Sequence, residues 1–211
     1  MVSFNEISKS IIDGNAAKAK ELTKAALAAN VPAKDILGTG LIPGIREVGK
    51  LFSSGLYFLP ELLVSGKAMS TAMEILGPEL SKSEVPPTGK YAIGTVRGDV
   101  HDIGKNIVIM MLKGNGWEVT DLGVDVPPED FCSAVKEGDY QILGMSALLT
   151  TTMPTAVDTI EALKTARLRD KVKIMVGGAP TSKAWADKIG ADGYASDAAE
   201  AVIVAEALVV K

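Results

Sequence analysis

Residues 91–106 of this chain read YAIGTVRGDVHDIGKN, and this segment decides how the second half of the sequence is interpreted. Its first part, Tyr91–Val96, is a short apolar run with β-branched residues, which is typical of a buried strand. Lys105–Lys113, which overlaps its end, has the composition of a helix. Between the two lies a polar loop that contains the one histidine of the chain, His101. The segment therefore predicts a strand, a loop rich in chemically active side chains and a helix in succession.

The alternation of strand and helix continues from this segment to the C terminus. Further strands are predicted at Glu118–Leu122, Gln141–Met145, Val172–Val176 and Gly193–Ala195, and further helices at Pro127–Glu137, Pro154–Arg167, Lys183–Ile189 and Ala198–Val210. This pattern predicts a doubly wound α/β domain at residues 89–211, with a five-stranded parallel sheet of flavodoxin-like or Rossmann-like type covered on both faces. In the flavodoxin-like strand order 2-1-3-4-5, the loops after the first, third and fourth strands converge on one crevice, where such sheets bind ligands.

The first half of the chain has the pattern of an all-α bundle with four to five helices. Ser3 and Glu6 form a capping-box pattern, and Asn15 can cap the Ala-rich stretch 16–29. Pro32 suits a first helical position. Residues 41–52 carry one apolar stripe, and Pro60 can open the last helix.

A linker is predicted at Ser81–Gly89, where Pro86-Pro87 blocks the continuation of a helix and favours extended geometry. The expected domains are therefore a helical domain at residues 1–88, with this Pro-rich segment at its end, and the α/β domain at residues 89–211. The change from helical periodicity to alternating strands and helices falls at the same place.

The composition excludes several classes of protein. The 211 residues are 47% hydrophobic and 23% charged, as in ordinary globular proteins, and the net charge of −4 disfavours a nucleic-acid partner. One cysteine, Cys132, and one histidine are too few for a zinc or iron–sulfur site built by the protein alone. No apolar run approaches the roughly 18 residues of a membrane span. Neither a nucleic-acid nor a membrane partner is predicted, and a cytoplasmic location is expected.

The loop after the first predicted strand contains the strongest candidates for chemistry. Asp99 precedes His101 by two residues, so its carboxylate can hold one ring nitrogen and leave the other free for a metal or a proton. An exposed loop histidine beside an acid is the alternative interpretation. Asp102 can cap the following helix, and Gly104 permits a tight turn or the close approach of a bulky ligand.

The loops after the third and fourth strands contain Ser146, the threonines 150–152 and Gly177-Gly178. Ser146 resembles the start of a nucleophile elbow without its second glycine, so a hydrolase that uses Ser146, His101 and Asp99 is a second possibility. The threonines can cap the next helix, and a glycine pair after a strand is often only a turn. The sequence contains neither a Walker phosphate loop nor a Gly-x-Gly-x-x-Gly motif, which disfavours a nucleotide cofactor.

Taken together, residues 98–106 (GDVHDIGKN), the pair Ser146 and Leu148, and Gly177-Gly178 resemble the signature of cobalamin-binding domains. In these domains the cofactor's own base leaves cobalt and a histidine binds instead, a state termed histidine-on. The family includes the B12 region of methionine synthase and the corrinoid proteins of three-component methyltransferase systems. Residues 48–52 (VGKLF) and 55–61 (GLYFLPE) resemble the family's helical cap. The resemblance spans nearly the whole chain, with the domains in the same order.

The resemblance implies a role for each of these residues around a bound cobalamin or related corrinoid. His101 would be the axial cobalt ligand, Asp99 would steady it, and Thr152 would complete a relay of histidine, aspartate and hydroxyl. Methionine synthases usually have serine at the position of Thr152. Ser146 would hydrogen-bond the displaced base, and Phe58 would shield the upper face of the corrin. The remaining implied cofactor contacts are Gly98, Val100, Asp102, Ile103, Gly104, Leu148, Thr150, Gly177 and Gly178.

The resemblance also implies the function of a methyl carrier with no substrate turnover of its own. A substrate-specific methyltransferase would load the cobalt, giving the methylcobalamin form, with methoxylated aromatics (O-demethylase systems) or methylamines as the favoured donors. A second methyltransferase would pass the methyl group to tetrahydrofolate or coenzyme M, and a reductive activating protein is a further expected partner. A B12-dependent sensor is the alternative, against which the acidic charge and the lack of a helix-turn-helix pattern argue.

Overall fold

The computed structural model describes residues 3–82 and 86–209 of the chain. Contacts divide the chain into two compact units, Met1–Pro87 with Lys113–Gly116 and Thr88–Leu112 with Trp117–Lys211. The first unit is helical, and the second contains a parallel sheet with helices. The predicted fold class is therefore confirmed.

The helices of the first unit follow one another with short connections. Their bounds are α1 (Phe4–Ile12), α2 (Ala16–Ala28), α3 (Ala33–Asp35), α4 (Ile42–Ser53) and α5 (Leu59–Lys82), with a π-helical segment, Ile36–Leu41, between α3 and α4. Helix α1 packs against α4, and α2 packs against α5. Buried aliphatic side chains such as Ile11, Ile45 and Met69 form the core of this unit. The amphipathic spacing in the sequence thus gives a helical bundle.

Several predicted helix starts in this unit need correction. Ser3 precedes α1, but its side chain makes no capping hydrogen bond, and its carbonyl accepts the N–H groups of Glu6 and Ile7 instead. Pro32 lies one residue before α3, because its ψ of 134° is extended rather than helical. Pro60 is the second residue of α5, which begins at Leu59. The prediction for Asn15 is confirmed, since its side chain accepts the Lys18 N–H at 3.0 Å.

The segment predicted as a linker is partly helical, because α5 continues to Lys82. Residues 83–85 of the predicted linker lie outside the described residues. Pro86 and Pro87 have no regular secondary structure. This agrees with the inability of proline to continue a helix from the preceding chain.

Among its described residues, the second unit alternates five parallel strands with five α-helices, and a short 3-10 helix, Arg169–Lys171, precedes the fourth strand. The strands are β1 (Lys90–Thr95), β2 (Glu118–Asp121), β3 (Ile142–Ser146), β4 (Lys173–Gly177) and β5 (Gly193–Ala195), and the helices are α6 (Ile103–Gly114), α7 (Pro128–Glu137), α8 (Met153–Thr165), α9 (Lys183–Ile189) and α10 (Ala198–Val209). The strand order is β2-β1-β3-β4-β5, the flavodoxin-like order that the sequence analysis considered. Predicted and observed bounds differ by at most two residues, although Val210 lies outside the described residues.

The strands are apolar because both faces of the sheet are covered. Ile174, Met175 and Val176 of β4 are almost completely buried, as predicted. Phe131 of α7 and Ile160 of α8 join the core of this unit. Within residues 3–82 and 86–209, no helix combines the length and the apolar character that a membrane span needs.

Candidate functional site

Three strands of the sheet end level with one another, and this brings the predicted loops together. In the parallel register Thr95 of β1 pairs with Ser146 of β3, and Ser146 pairs with Gly177 of β4. Each of these residues is the last of its strand. The loops that follow β1, β3 and β4 therefore start side by side at the carboxyl edge, where open α/β sheets bind ligands.

Asp99 joins the first two of these loops through its carboxylate. One oxygen, Oδ1, lies 2.7 Å from Nδ1 of His101 and accepts the His101 backbone N–H at 3.1 Å. The other, Oδ2, accepts the N–H groups of Leu148 at 2.7 Å and of Leu149 at 3.3 Å. It also lies 2.9 Å from the hydroxyl of Thr152, which donates to it. A side chain from the β1 loop thus organises the loop after β3.

These hydrogen bonds determine the charge of Asp99. The side chain is buried, and burial acting alone would raise the pKa of the carboxyl group. The hydrogen bonds from Leu148, from the side chain and backbone of His101, and from Thr152 outweigh burial and hold the pKa well below its usual value. Asp99 is therefore a carboxylate that accepts from every partner, so it fixes the proton of His101 on Nδ1.

Because Nδ1 of His101 is directed at Asp99, the lone pair of the neutral imidazole lies on the other nitrogen, Nε2. Half of the His101 side chain is accessible to solvent, at 49%. Its main chain is also held, because the hydroxyl of the buried Thr95 donates to the His101 carbonyl at 3.0 Å. An oriented ring with a free Nε2 is the arrangement found in histidine ligands of metals.

Apolar side chains lie in the loops next to this ring and are open to solvent. Val100 and Ile103, on either side of His101 in the chain, are 68% and 69% exposed. Leu148 and Leu149, whose N–H groups bond to Asp99, are about two-fifths exposed. Exposed apolar groups in neighbouring loops are typical of a binding surface for a large apolar ligand.

The other predicted contacts in these loops differ in their surroundings. Ser146 is half-buried and Thr150 is exposed. Among the residues that the structure describes, no hydrogen bond joins Ser146 to His101, so the arrangement that a hydrolase would need is not formed. A Cβ at Gly104 would have no neighbour within 4 Å, which leaves open space beside the first turn of α6.

The glycines have reasons within the protein as well. Gly98 has a φ of +84°, which favours glycine in the turn before Asp99. Gly178 has a φ of +126°, and a Cβ there would collide with the carbonyl of Ala147. The interpretation of the glycine pair as a turn therefore applies at Gly178, and the cofactor contact that the resemblance implies there stays a prediction. Gly177 accepts the N–H of Ala147 at 3.1 Å, so the two loops also approach each other through their main chains.

Asp102 differs from its predicted helix-capping role. Its carboxylate accepts from the side-chain amide of Asn106 at 3.1 Å, one turn into α6, while its main-chain carbonyl accepts the Asn106 N–H. The carbonyl bond is the ordinary first hydrogen bond of the helix, and among the described residues no hydrogen bond joins the Asp102 carboxylate to a free N–H of the first turn, so the side chain braces that turn only through Asn106.

Two residues near Asp99 were not singled out from the sequence. Thr95 looks like any β-branched strand residue, and its hydrogen bond to His101 depends on the turn of the loop. Asp125 follows β2. Its carboxylate accepts the Gly98 N–H, and its own N–H donates to the Asp99 carbonyl. The only sequence signal for Asp125 is an aspartate in the short connection between β2 and α7, which is also typical of an ordinary turn.

Phe58, the remaining predicted contact, belongs to the helical unit. It directly precedes α5, and its side chain is 65% exposed. Its N–H donates to the Glu61 carboxylate at 2.9 Å, which helps to begin the helix. Leu56, Leu59, Leu63 and Val64 are also exposed in the same region of the chain.

Comparison with known protein families assigns both parts of the chain. A family model described as a B12 binding domain matches residues 89–203, and a second model with the same description matches residues 3–76. The fold, the loops at the carboxyl edge and these two matches define the class as a B12-binding protein with a helical and an α/β domain.

The relatives specify the class further. The chain is 45% identical to dimethylamine corrinoid protein 3 of Methanosarcina acetivorans over 205 residues, which are 97% of this chain and 96% of the relative. A crystal structure of a cobalamin-binding protein from Desulfitobacterium hafniense DCB-2 superposes with a TM-score of 0.84 and 31% identity, covering 100% of both chains. The methanol:cobalamin methyltransferase complex MtaBC of Methanosarcina barkeri contains a chain that superposes with a TM-score of 0.79 and 30% identity, over 96% of this chain and 78% of that one. The chain belongs to the B12-binding corrinoid protein family.

The residues at the carboxyl edge fit the cofactor of this family, a cobalamin or related corrinoid. A corrinoid brings its own equatorial nitrogen ligands, so the protein needs to add only one axial donor, and His101 offers an oriented one. The described part of the chain has no group of three or more His, Cys, Asp or Glu that could hold a bare metal ion. The exposed apolar side chains and the open space at Gly104 suit a large, largely apolar ring with a tail.

Proposed function

We propose that this chain is a methyl carrier that binds a corrinoid through His101 and serves two methyltransferases in turn. The observation that carries this proposal is the hydrogen-bonded chain of His101, Asp99 and Thr152 at the edge of the sheet. When bound, the corrinoid supplies a cobalt centre that takes up and releases a methyl group. The protein's own contribution is to place one imidazole and to control its proton.

In this proposal each element of the site has one task. His101 is the axial ligand, and Asp99 keeps its Nδ1 protonated and its ring in place. Thr152 keeps the Asp99 carboxylate oriented and ionised. Ser146 hydrogen-bonds the displaced lower base, with Leu148 beside it, and Gly177 and Gly104 lie along the tail. Further cofactor contacts are assigned to Gly98, Val100, Asp102, Ile103, Thr150 and Gly178.

The two domains have different tasks in the same proposal. Residues 89–211 are the cobalamin-binding domain, and residues 1–88 are the cap domain, whose Phe58 is the main shield of the corrin. The exposed apolar side chains around Phe58 support this division, since such a surface is costly to leave in water.

The partners follow from what the relatives are named for. One relative is a dimethylamine corrinoid protein, and one structural neighbour belongs to a methanol:cobalamin methyltransferase complex. We therefore propose a substrate-specific methyltransferase as the first partner, with a methylated amine as the favoured donor. A second methyltransferase takes the methyl group to tetrahydrofolate or coenzyme M, and a reductive activating protein restores the carrier after accidental oxidation.

The first test is reconstitution of the full chain with hydroxocobalamin. The expected product is a red protein with one corrinoid per chain and a histidine-on absorption spectrum. His101→Ala should bind more weakly and give a histidine-off spectrum, and added imidazole should restore the histidine-on spectrum because it replaces the missing ring. A colourless wild-type protein, or a His101→Ala spectrum identical to the wild type, would contradict the proposal.

The second test separates a carrier from a sensor. The reconstituted, reduced protein is mixed with a dimethylamine methyltransferase and its substrate, and methylation is followed by the absorption change. A carrier becomes methylated and then returns to its starting spectrum when an acceptor methyltransferase is added. A sensor would bind the corrinoid and show neither change.

A further inference from the structure

Asp125 makes two hydrogen bonds to the loop that carries His101, and among the described residues no hydrogen bond joins it to His101 itself. The Gly98 N–H donates to Oδ1 of Asp125 at 2.7 Å. The Asp125 N–H donates to the carbonyl of Asp99 at 2.9 Å. The two bonds enclose the Gly98–Asp99 dipeptide, so one residue of the β2 loop holds the main chain from which the Asp99 side chain projects.

The main chain around Asp125 is itself anchored to the sheet. Val126 donates its N–H to the carbonyl of Thr95 at 2.9 Å, and Thr95 donates its N–H to the carbonyl of Gly123 at 3.0 Å. Asp125 lies between these attachments with a φ of +53°, a left-handed conformation that aspartate tolerates better than most residues. These two hydrogen bonds therefore hold the main chain of Asp125 in place beside the end of β1.

The position of this dipeptide matters because the Asp99 side chain is short. Its carboxylate meets both His101 and the β3 loop only if the main chain of residues 98 and 99 is placed correctly. Gly98 is exposed and has a positive φ, and the turn around it is closed by the Asp99 N–H, which donates to the Val96 carbonyl at 3.1 Å, so its own N–H needs a restraint from another part of the chain. The Asp125 carboxylate supplies that restraint from outside.

We propose that Asp125 is a positioning residue for the axial histidine. It holds the Gly98–Asp99 main chain so that Asp99 and His101 are arranged before the corrinoid binds, and it thereby raises the fraction of bound cofactor in the histidine-on state. This role rests on the proposed function, since it presumes that His101 is the ligand. It is a role of geometry: the required feature is a hydrogen-bond acceptor at residue 125, and its negative charge is dispensable.

Three variants of the full chain separate geometry from charge and from stability. Asp125→Gly keeps the left-handed backbone and the N–H to Asp99 but removes the acceptor for Gly98. Asp125→Asn keeps an acceptor, tolerates the same φ and removes the charge. Arg167→Gly is the matched control, because Arg167 is exposed, has a φ of +58° and lies at the end of α8.

The readout is the ratio of histidine-on to histidine-off absorption after reconstitution with hydroxocobalamin. We expect Asp125→Gly to lower this ratio about three- to tenfold, the equilibrium value of one ordinary hydrogen bond. Asp125→Asn and Arg167→Gly should stay close to the wild type. An unchanged ratio in Asp125→Gly overturns the proposal, and so does a fall of equal size in Asp125→Asn, which would assign the effect to charge.

Hydrogen exchange of the apoprotein gives a second reading that needs neither a cofactor nor a variant. The amide of Gly98 should be protected although the residue is exposed, because its N–H is bonded to Asp125. Exchange at the rate of an open loop amide would overturn the proposal even if Asp125→Gly failed to fold. Failure of the proposed function and failure of the role of Asp125 give different results. A wild type that binds no corrinoid contradicts the proposed function. A histidine-on wild type with the same absorption ratio in Asp125→Gly contradicts only the role of Asp125.

Discussion

At the scale of single residues, the site depends on how Asp99 is satisfied. A carboxylate enclosed by protein is ordinarily driven towards its neutral form. Here the donors come from two loops, and they include main-chain N–H groups, a hydroxyl and an imidazole. Their combined effect keeps the charge, and the charge in turn orients His101. Asp99 is thus the residue whose hydrogen bonds hold together the loops after β1 and β3.

This arrangement predicts a dependence of stability on pH. The pKa of Asp99 in the folded protein is lower than its usual value, so the ionised form stabilises the fold above about pH 4, and this stabilisation is lost as the pH falls further. Asp99→Asn has no such ionisation. The difference in the free energy of unfolding between wild type and Asp99→Asn should therefore be largest near pH 6 and shrink towards pH 3.

Urea denaturation of the apoprotein at several pH values measures this difference. Asp139→Asn, at an exposed aspartate of the same unit, is the control and should track the wild type throughout. A gap between wild type and Asp99→Asn that stays constant from pH 6 to pH 3 would show that the charge of Asp99 does not stabilise the fold.

At the scale of elements, the strands and helices could be predicted from the sequence, whereas contacts between residues far apart in the chain could not. The strands and helices of residues 89–211 were found because buried parallel strands are continuously apolar and alternate with helices. Asp99 and Gly98, the hydrogen-bond partners of Asp125, lie 26 and 27 residues away in sequence, so no local sequence pattern predicts these bonds. The capping prediction at Ser3 failed although the local pattern is present. Ser3 does precede α1, but its hydroxyl accepts no N–H of the helix.

Gly178 also shows what a local sequence motif cannot predict. The sequence left two interpretations of the glycine pair open, a turn or a cofactor contact, and the structure places Gly178 in a positive-φ turn directly against the main chain of the β3 loop. A local motif can indicate that a small residue is needed. It cannot tell whether the neighbour that needs the room is a cofactor or the protein itself.

Substitution of Gly178 therefore has a predicted cost in the apoprotein. Gly178→Ala should lower the free energy of unfolding by about 3 kcal/mol or more, because it adds a main-chain collision to an unfavourable φ. Gly190→Ala is the matched control: Gly190 ends α9 with a φ of +79°, and its Cβ would meet nothing within 4 Å. That change should cost only about 1 kcal/mol. Thermal or urea unfolding checks both, and equal costs would exclude the collision with Ala147.

At the scale of the whole molecule, each unit keeps an apolar surface open to solvent. The exposed apolar side chains of the helical unit include Leu56, Phe58, Leu59, Leu63 and Val64, and those in the loops next to His101 are Val100, Ile103, Leu148 and Leu149. Exposed apolar groups of this extent are uncommon in proteins without a binding partner. Because Phe58 and the loops that flank His101 are both proposed to contact the corrinoid, these apolar side chains should lose their exposure when it binds.

The heat capacity of binding tests this prediction, because it reports buried apolar area. Phe58→Ala should make the heat-capacity change of corrinoid binding less negative and weaken binding about tenfold, as expected for the loss of one buried aromatic side chain. Ile203→Ala in α10 is the matched control, since Ile203 is 67% exposed and Phe58 is 65% exposed, but Ile203 belongs to neither surface. Calorimetry of the full chain with hydroxocobalamin at several temperatures gives both quantities. If Phe58→Ala and Ile203→Ala behave alike, the cofactor does not bury Phe58, and the proposed role of Phe58 as a shield is wrong.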